Sequence, residues 1–396
     1  MRICIFAKAM RLHRPGYLWP FELLSRTFTG LGHDVTVLTT ALEGGSAEHL
    51  RDGALEVVHL AGTTPEKIDA AYWQASADAF ARVDGAAPFD LVLGRSASSW
   101  GYLSRPDLRR VPLISHEGTY PGWMHRIDIG GTALERAAVP LAALRRAARN
   151  RPMRLALQRS ARVACLSPAL ASALRRAQWW QPPRVVVLPY GFDIDGFAGQ
   201  ARGTAAEGPP RLVSVGRLTR GKGAEDLIEV LARLRRRDVL LDAVGPVDPG
   251  YRAELERMAE ARGLGQRFRM VGAVPHEALP GRLAGAAAFL FPSTHAEGLS
   301  KVVQEAMAMA LPVVAYALPT LPALIEQGRS GIMVPAGRTA AMAAGVDRLL
   351  ADPGAAAQMG AAGRGKLERE FAPQRIAGAW QALFDEVLAE AGRAGR

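Results

Sequence analysis

Short runs of apolar residues alternate with longer stretches in which apolar positions recur every three or four residues. In the first half of the chain the runs fall at 2–7, 33–39, 54–60, 90–94, 111–115, 162–166 and 184–188, and read as strands. In the second half they fall at 211–215, 239–244, 267–271, 287–291, 311–315 and 331–334. Helical spacing lies between them, notably at 20–31, 65–83, 224–235 and 301–310, and continues from 334 to the carboxyl terminus. Such strand-helix alternation builds parallel sheets covered by helices on both faces. The fold class is therefore α/β, with two doubly wound, Rossmann-like domains. Residues 199–210, poor in apolar residues and rich in Gly, Ala and Pro, read as the linker.

Composition agrees with this. The 396 residues are 49% hydrophobic and 22% charged, enough for two domains of ordinary size. Cys4 and Cys165 are the only cysteines, each inside an apolar run. That argues against a disulfide framework or a cysteine metal site, and for a reducing, cytoplasmic location. The apolar start at 1–7 is too short for a signal peptide, and Lys8 and Arg11 prevent its extension. No apolar stretch reaches the ~20 residues a membrane span needs.

Charge widens the field of partners. A net charge of +11 favours anionic ones: phosphate ligands, nucleic acid or an anionic lipid surface. The arginines from Arg136 to Arg184 face a single acid, Glu135. They read either as a solvated face or as a patch resting peripherally on anionic membrane, with Leu134, Leu141, Leu144, Leu155 and Leu157 adding apolar contact. Nucleic-acid binding would want aromatics interleaved with those arginines, and only Trp179 and Trp180 are near, so no nucleic-acid partner is expected.

Candidate chemistry centres on 293–310. The apolar run ending at Phe291 meets Pro292, and the loop Ser293-Thr294-His295-Ala296-Glu297-Gly298-Leu299-Ser300 leads into a helix. Glu297 lies at the carboxyl end of a strand, and Glu305 comes about two helical turns later. The helix amino terminus between them offers unpaired N–H groups and a positive dipole end, a seat for phosphate. A glycine-rich basic loop, Gly216-Arg217-Leu218-Thr219-Arg220-Gly221-Lys222-Gly223, succeeds the strand at 211–215. Its spacing excludes a P-loop. The first strand-to-helix loop, 8–19, contains Gly16 but no G-x-G-x-x-G. His116 reads as lying in a loop beyond the strand at 111–115. Ser167 reads as a helix cap, Asp193 and Asp195 as members of a structural turn, and Trp380 as core.

Four pieces in order carry a resemblance: V-L-P-Y-G-F-D-I-D-G-F at 187–197, V-G-R-L-T-R-G-K-G at 215–223, G-A-V-P-H-E-A-L at 272–279 and E-G-L-S-K-V-V-Q-E-A at 297–306. With them the chain resembles the retaining glycosyltransferases of family 4, which have the GT-B fold. The resemblance implies an acceptor-side domain at 1–195, a nucleotide-sugar domain at 196–372, a cleft between them, and a helix at 373–396 crossing back to the first domain. It implies a nucleoside-diphosphate sugar as donor and a saccharide, lipid-linked or small-molecule hydroxyl as acceptor, in glycan, polysaccharide or glycolipid biosynthesis. No metal and no cofactor are implied. Arg217 and Lys222 would hold the diphosphate, and Glu305 the ribose hydroxyls. Glu297 and His116 would contact the transferred sugar. Gly298, Leu299 and Ser300 would line sugar and phosphate through their N–H groups. Val274 and His276 would flank the nucleobase, and Gly16 would reach acceptor or phosphate. This chain departs from the family pattern at Tyr190, where asparagine is usual, at Ala310, where glycine is common, at 318–323, and in having only Gly16 where many relatives have two glycines. A two-carboxylate glycosidase fits less well, because one glutamate lies on a helix beside a phosphate seat. A nucleotide-sugar epimerase and a non-catalytic anion binder are the competing readings.

Overall fold

Strand β1, Arg2–Phe6, is apolar from Ile3 onward because it has parallel neighbours on both sides and packs into a core on each face. Around it lie β2 (Asp34–Thr40), β3 (His49–Asp52), β4 (Leu55–Leu60), β5 (Leu91–Gly94), β6 (Leu113–Glu117), β7 (Arg162–Cys165) and β8 (Val185–Val187). The sheet order is β3-β4-β2-β1-β5-β6-β7-β8, parallel except for the β3–β4 hairpin at one edge. A second, wholly parallel sheet contains β9 (Arg211–Val215), β10 (Leu240–Val244), β11 (Phe268–Gly272), β12 (Ala288–Phe291), β13 (Val313–Tyr316) and β14 (Gly331–Val334). Its order is β11-β10-β9-β12-β13-β14. Strand order reverses between β1 and β5 in the first sheet and between β9 and β12 in the second. Such switch points open crevices beyond the carboxyl ends of the strands, where ligands of doubly wound sheets bind.

This computed structural model describes residues 1–10, 20–118, 150–177, 184–199, 208–295 and 298–394. Gly16, Glu297, most of the 199–210 linker and the arginines from Arg136 to Arg149 lie outside the described residues. The chain divides into one unit of Met1–Gly191 with Pro373–Arg396, and a second of Phe192–Ala372.

Three features differ from the sequence reading. Strand β3 and the short helix Trp100–Ser104 carry no clear periodicity and have no counterpart in it. β3, mostly exposed His-Leu-Arg-Asp, exists because the chain reverses at Gly53 and pairs it with β4. Strand β6 runs two residues beyond 115, so His116 and Glu117 are paired strand residues facing Ala164 and Cys165, and His116 is not in a loop. The boundary at 195 moves back to 191, because Phe192 and Ile194 are buried in the core of the second unit.

The helix Pro373–Ala394 belongs to the first unit. Trp380 and Phe384 pack edge-on against Phe28, with ring centroids 5.3 and 5.0 Å away. Arg162, nearly buried, pairs with Glu386 and with Glu390, the latter at 2.7 Å, and Arg184 reaches Glu390 at 2.7 Å. Arg175 donates to the Val185 carbonyl, and Arg159 to that of Leu103. Several members of the arginine run are thus bound into the fold. No described helix is long and apolar enough to cross a membrane.

The helix Lys301–Ala308 ends in a Schellman motif. Leu311 N–H bonds the Ala306 carbonyl at 3.0 Å, and Ala310 N–H bonds that of Met307 at 2.9 Å. The motif requires a left-handed residue, and Ala310 supplies it at φ 53°. This is the position where the family resemblance implies a glycine. Ala310→Gly should therefore raise stability, by about 0.5 kcal/mol after the greater freedom of the unfolded glycine is subtracted. Gly360→Ala should do the reverse, since its Cβ would lie 1.8 Å from the Ala310 carbonyl oxygen. Thermal unfolding of the two variants checks both signs.

Candidate active site

In the second sheet the loops at four adjacent strand ends are tied together by backbone bonds. Gly245, after β10, donates to the carbonyl of Gly272 at the end of β11 (2.8 Å). Leu218, in the loop after β9, donates to the Pro246 carbonyl (2.9 Å). Gly221, further along that loop, offers its carbonyl to the N–H groups of Thr294 (3.0 Å) and His295 (3.1 Å), in the loop after β12. The β9–β12 pair is the switch point, so the basic loop and the acidic loop meet where a ligand crevice is expected.

Two glycines make this approach possible. Gly223 lies at φ 73°, and a Cβ there would stand 2.3 Å from the Pro292 carbonyl oxygen. Gly245 lies at φ 146°, and a Cβ would stand 2.0 Å from the Gly216 oxygen. Any larger residue at either position would force the loops apart.

The cations of the basic loop are not equivalent. Arg220 is neutralised: it pairs with Glu225, chelates Glu254 at 2.7 and 2.9 Å, and lies over the Tyr251 ring. Arg217 makes no hydrogen bond or ion pair to any described residue and lines a groove of about 470 Å³ with Leu218, Thr219, Pro246, Val247, Asp248 and Tyr251. Lys222 ends the one-turn segment Arg220–Lys222, beside Gly221.

Glu305 is 2% exposed. Its Oε1 lies 2.8 Å from His276 Nε2, while its Oε2 meets no hydrogen-bonding group among the described residues. His276 stands in the segment after β11, with its ring 5.7 Å from that of Phe197. This pair joins the end of β11 to the helix after β12 and so closes the circuit of strand-end loops. Lys301, the first residue of that helix, is pushed below the ordinary lysine value by burial, against the pull of the Glu305 charge. Ser300 is buried and makes no side-chain bond to cap the helix. Leu299 and Val274 pack against the apolar core of the second unit. Gly298 comes directly after Ala296 and Glu297, which lie outside the described residues.

His116 belongs to the first unit. It is fully buried, with Nδ1 3.1 Å from Tyr190 Oη and the rings of Tyr190, Trp380 and Phe21 around it. Tyr190, a departure from the family pattern, thus orients the histidine. Nε2 has no hydrogen-bond partner among the described residues. Burial, helped by the charge of Arg95, pushes His116 down to about 3, so the ring is neutral. Glu117, beside it, accepts from Ser96 N–H at 2.9 Å and Ser96 Oγ at 3.1 Å. Burial pushes its carboxyl up to about 7, against the charge of Arg95 and those two bonds. The sequence reading missed Tyr190, Glu117 and the His276–Glu305 bond. Adjacency to His116 was the one available signal for Glu117. Nothing local signals a contact between residues 29 positions apart.

Residues 200–366 match the family model described as glycosyl transferases group 1, and residues 21–191 match the glycosyl transferase 4-like domain. The chain belongs to the group 1 glycosyltransferases and has their GT-B fold. Over 144 residues it is 39% identical to alpha-D-kanosaminyltransferase from Streptomyces kanamyceticus, covering 36% of this chain and 37% of that one. In the first curated relatives it matches, the shared segment spans less than two thirds of their length. Sucrose-phosphate synthase from Thermosynechococcus elongatus superposes with a TM-score of 0.78 at 20% identity, covering 98% of this chain and 99% of that one. Anabaena HepE in complex with UDP superposes with a TM-score of 0.69 at 18% identity, covering 97% and 99%.

The Glu117 environment gives a signed pH dependence. A carboxyl raised from 4.5 to about 7 keeps its proton in the folded state and loses it in the unfolded chain, so its contribution to stability falls as pH rises through that window. His116, lowered from 6.5 to about 3, contributes the opposite slope, with stability lost as pH falls below 6.5. Glu117→Gln removes the first slope alone. Urea unfolding should show the variant gaining about 2 kcal/mol on the wild type between pH 5 and pH 8. A constant difference between the two proteins would mean that Glu117 is ionised when folded.

Proposed function

We propose that this chain transfers a sugar from a nucleoside-diphosphate sugar to a hydroxyl acceptor, with retention at the anomeric carbon and without a metal ion. The observation that carries the reading is the Gly221 junction, which sets the loop of Arg217 and Lys222 against the loop leading to Glu305 at the second sheet's switch point. Arg217, with no partner among the described residues, and Lys222 stabilise the diphosphate as its charge grows on departure. The amino terminus of Lys301–Ala308 adds its dipole and N–H groups. His276 holds Glu305 by one oxygen and leaves the other for the ribose hydroxyls. Gly298, Leu299 and Ser300 line sugar and phosphate, Val274 and His276 flank the base, and Glu297 contacts the transferred sugar. The acceptor binds on the first unit. A nucleotide-sugar donor is supported by the UDP bound to HepE, a neighbour of the same fold.

In the reaction the bond between the anomeric carbon and the diphosphate oxygen breaks. The acceptor oxygen bonds the same carbon from the same face, and its proton passes to the departing phosphate oxygen. No protein base is needed, so stabilisation of the diphosphate is the main contribution of the chain to catalysis.

A thermal-shift screen of nucleoside diphosphates tests the reading, since a ligand that binds only the folded state raises the melting temperature. At least one diphosphate should do so, and the rise should shrink in Glu305→Ala and in the double variant Arg217→Ala/Lys222→Ala. Transfer by the double variant should fall about a hundredfold or more. A wild-type protein indifferent to every diphosphate would sink the proposal, and an inverted anomer in the product, read by NMR, would remove its stereochemistry.

A further inference from the structure

The first sheet has its own switch point, between β1 and β5, and Arg95 is the first residue beyond β5. Its backbone is fixed on both sides. Arg95 N–H donates to Ser98 Oγ at 2.8 Å, the Arg95 carbonyl accepts from Ser98 N–H at 2.9 Å, and Ser98 Oγ donates to the Phe6 carbonyl, at the end of β1, at 2.8 Å. The next residue, Ser96, is held in the left-handed region at φ 53°, which residues with a Cβ rarely adopt. Glu117 holds it there by accepting from both Ser96 N–H and Ser96 Oγ. The local backbone is thus strained and over-determined, a pattern that clusters at ligand sites.

This framework positions a guanidinium that no described residue engages. Arg95 has no side-chain hydrogen bond and no ion pair among the described residues. Glu117, whose carboxyl feels the Arg95 charge, has both oxygens engaged by Ser96, one by its N–H and one by its Oγ. Gly118 leaves room for the guanidinium, since a Cβ there would lie 3.0 Å from Arg95 Nη2. The Arg95 charge also acts on His116, in the same unit.

We propose that Arg95 receives an anionic group of the acceptor, a phosphate or a carboxylate. The inference rests on the reading that the first unit holds the acceptor. A planar guanidinium binds either anion through two parallel N–H bonds. Ser96, Ser98 and Glu117 act as positioning residues for it. A neutral or cationic acceptor would leave the charge unanswered, so the arrangement selects against both.

The test is calorimetric titration of the full chain with glucose 6-phosphate, glucuronate and glucose, with and without a saturating nucleoside diphosphate to occupy the donor phosphate seat. At least one anionic sugar should bind about tenfold or more tighter than glucose. Arg95→Ala should abolish that preference, Arg95→Lys should keep part of it, and the melting-temperature rise with nucleoside diphosphate should stay at its wild-type value in both. The better of the two sugars distinguishes a phosphate acceptor from a carboxylate one. Equal binding of all three sugars, binding of none, or an undiminished preference in Arg95→Ala overturns the inference. So does loss of the nucleotide response in Arg95→Ala, which would place the residue in the donor site or in folding. A wild-type protein without any nucleotide response counts against the proposed function instead, and the titrations without nucleotide still decide the role of Arg95.

Discussion

The carbonyl of Gly221 is where the second unit is held in its working form. A strand-end loop in a doubly wound sheet has no ladder partner of its own, and its free N–H and C=O groups must find others. Here they find one another: Gly221 receives Thr294 and His295, Pro246 receives Leu218, and Gly272 receives Gly245. The loops are thereby locked without recruiting the Arg217 side chain. Close approach is the condition for this, and Gly223 and Gly245 meet it by having no Cβ. The charges of the crevice are sorted on the same principle. Arg220 is neutralised by Glu225 and Glu254, while Arg217 meets no hydrogen-bonding or ion-pairing partner among the described residues.

The first unit handles its polar groups differently. His116, Glu117 and Trp380 are deeply buried, and burial sets the state of the two titratable side chains: a neutral imidazole and a carboxyl that gives up its proton only near neutrality. Tyr190 fixes the imidazole, and Ser96 occupies the carboxyl. The helix Pro373–Ala394 brings Trp380 and Phe384 against Phe28, and its glutamates answer Arg162 and Arg184. This accounts for part of the charge imbalance between 133 and 184. The compensating acids lie some two hundred residues away, so a count along the chain registers only the excess.

Most strands were legible from the sequence, because burial on both faces writes a continuous apolar run, as in residues 3–6 and Ala288–Phe291. The two loops that carry the site were legible for a local reason as well: a glycine-rich basic segment and a helix-starting acidic segment are each written in consecutive residues. Edge strand β3 was not legible, since one turn of a hairpin creates it from polar residues. The last two residues of β6 were missed because polar side chains in a run read as its end, although here they are buried and paired.

The sequence by itself determined the α/β class, the two wound sheets and the motifs that mark the family. These depend on residues near one another along the chain, whose spacing fixes the backbone. The tertiary structure alone decided which arginines are paired and with which acids, which carboxylate faces which histidine, and how the four loop ends interlock. Charge compensation and desolvation depend on distance in space. Glu390 beside Arg162, His276 beside Glu305 and Glu117 beneath Ser96 become neighbours only after the strands have been ordered into their sheets.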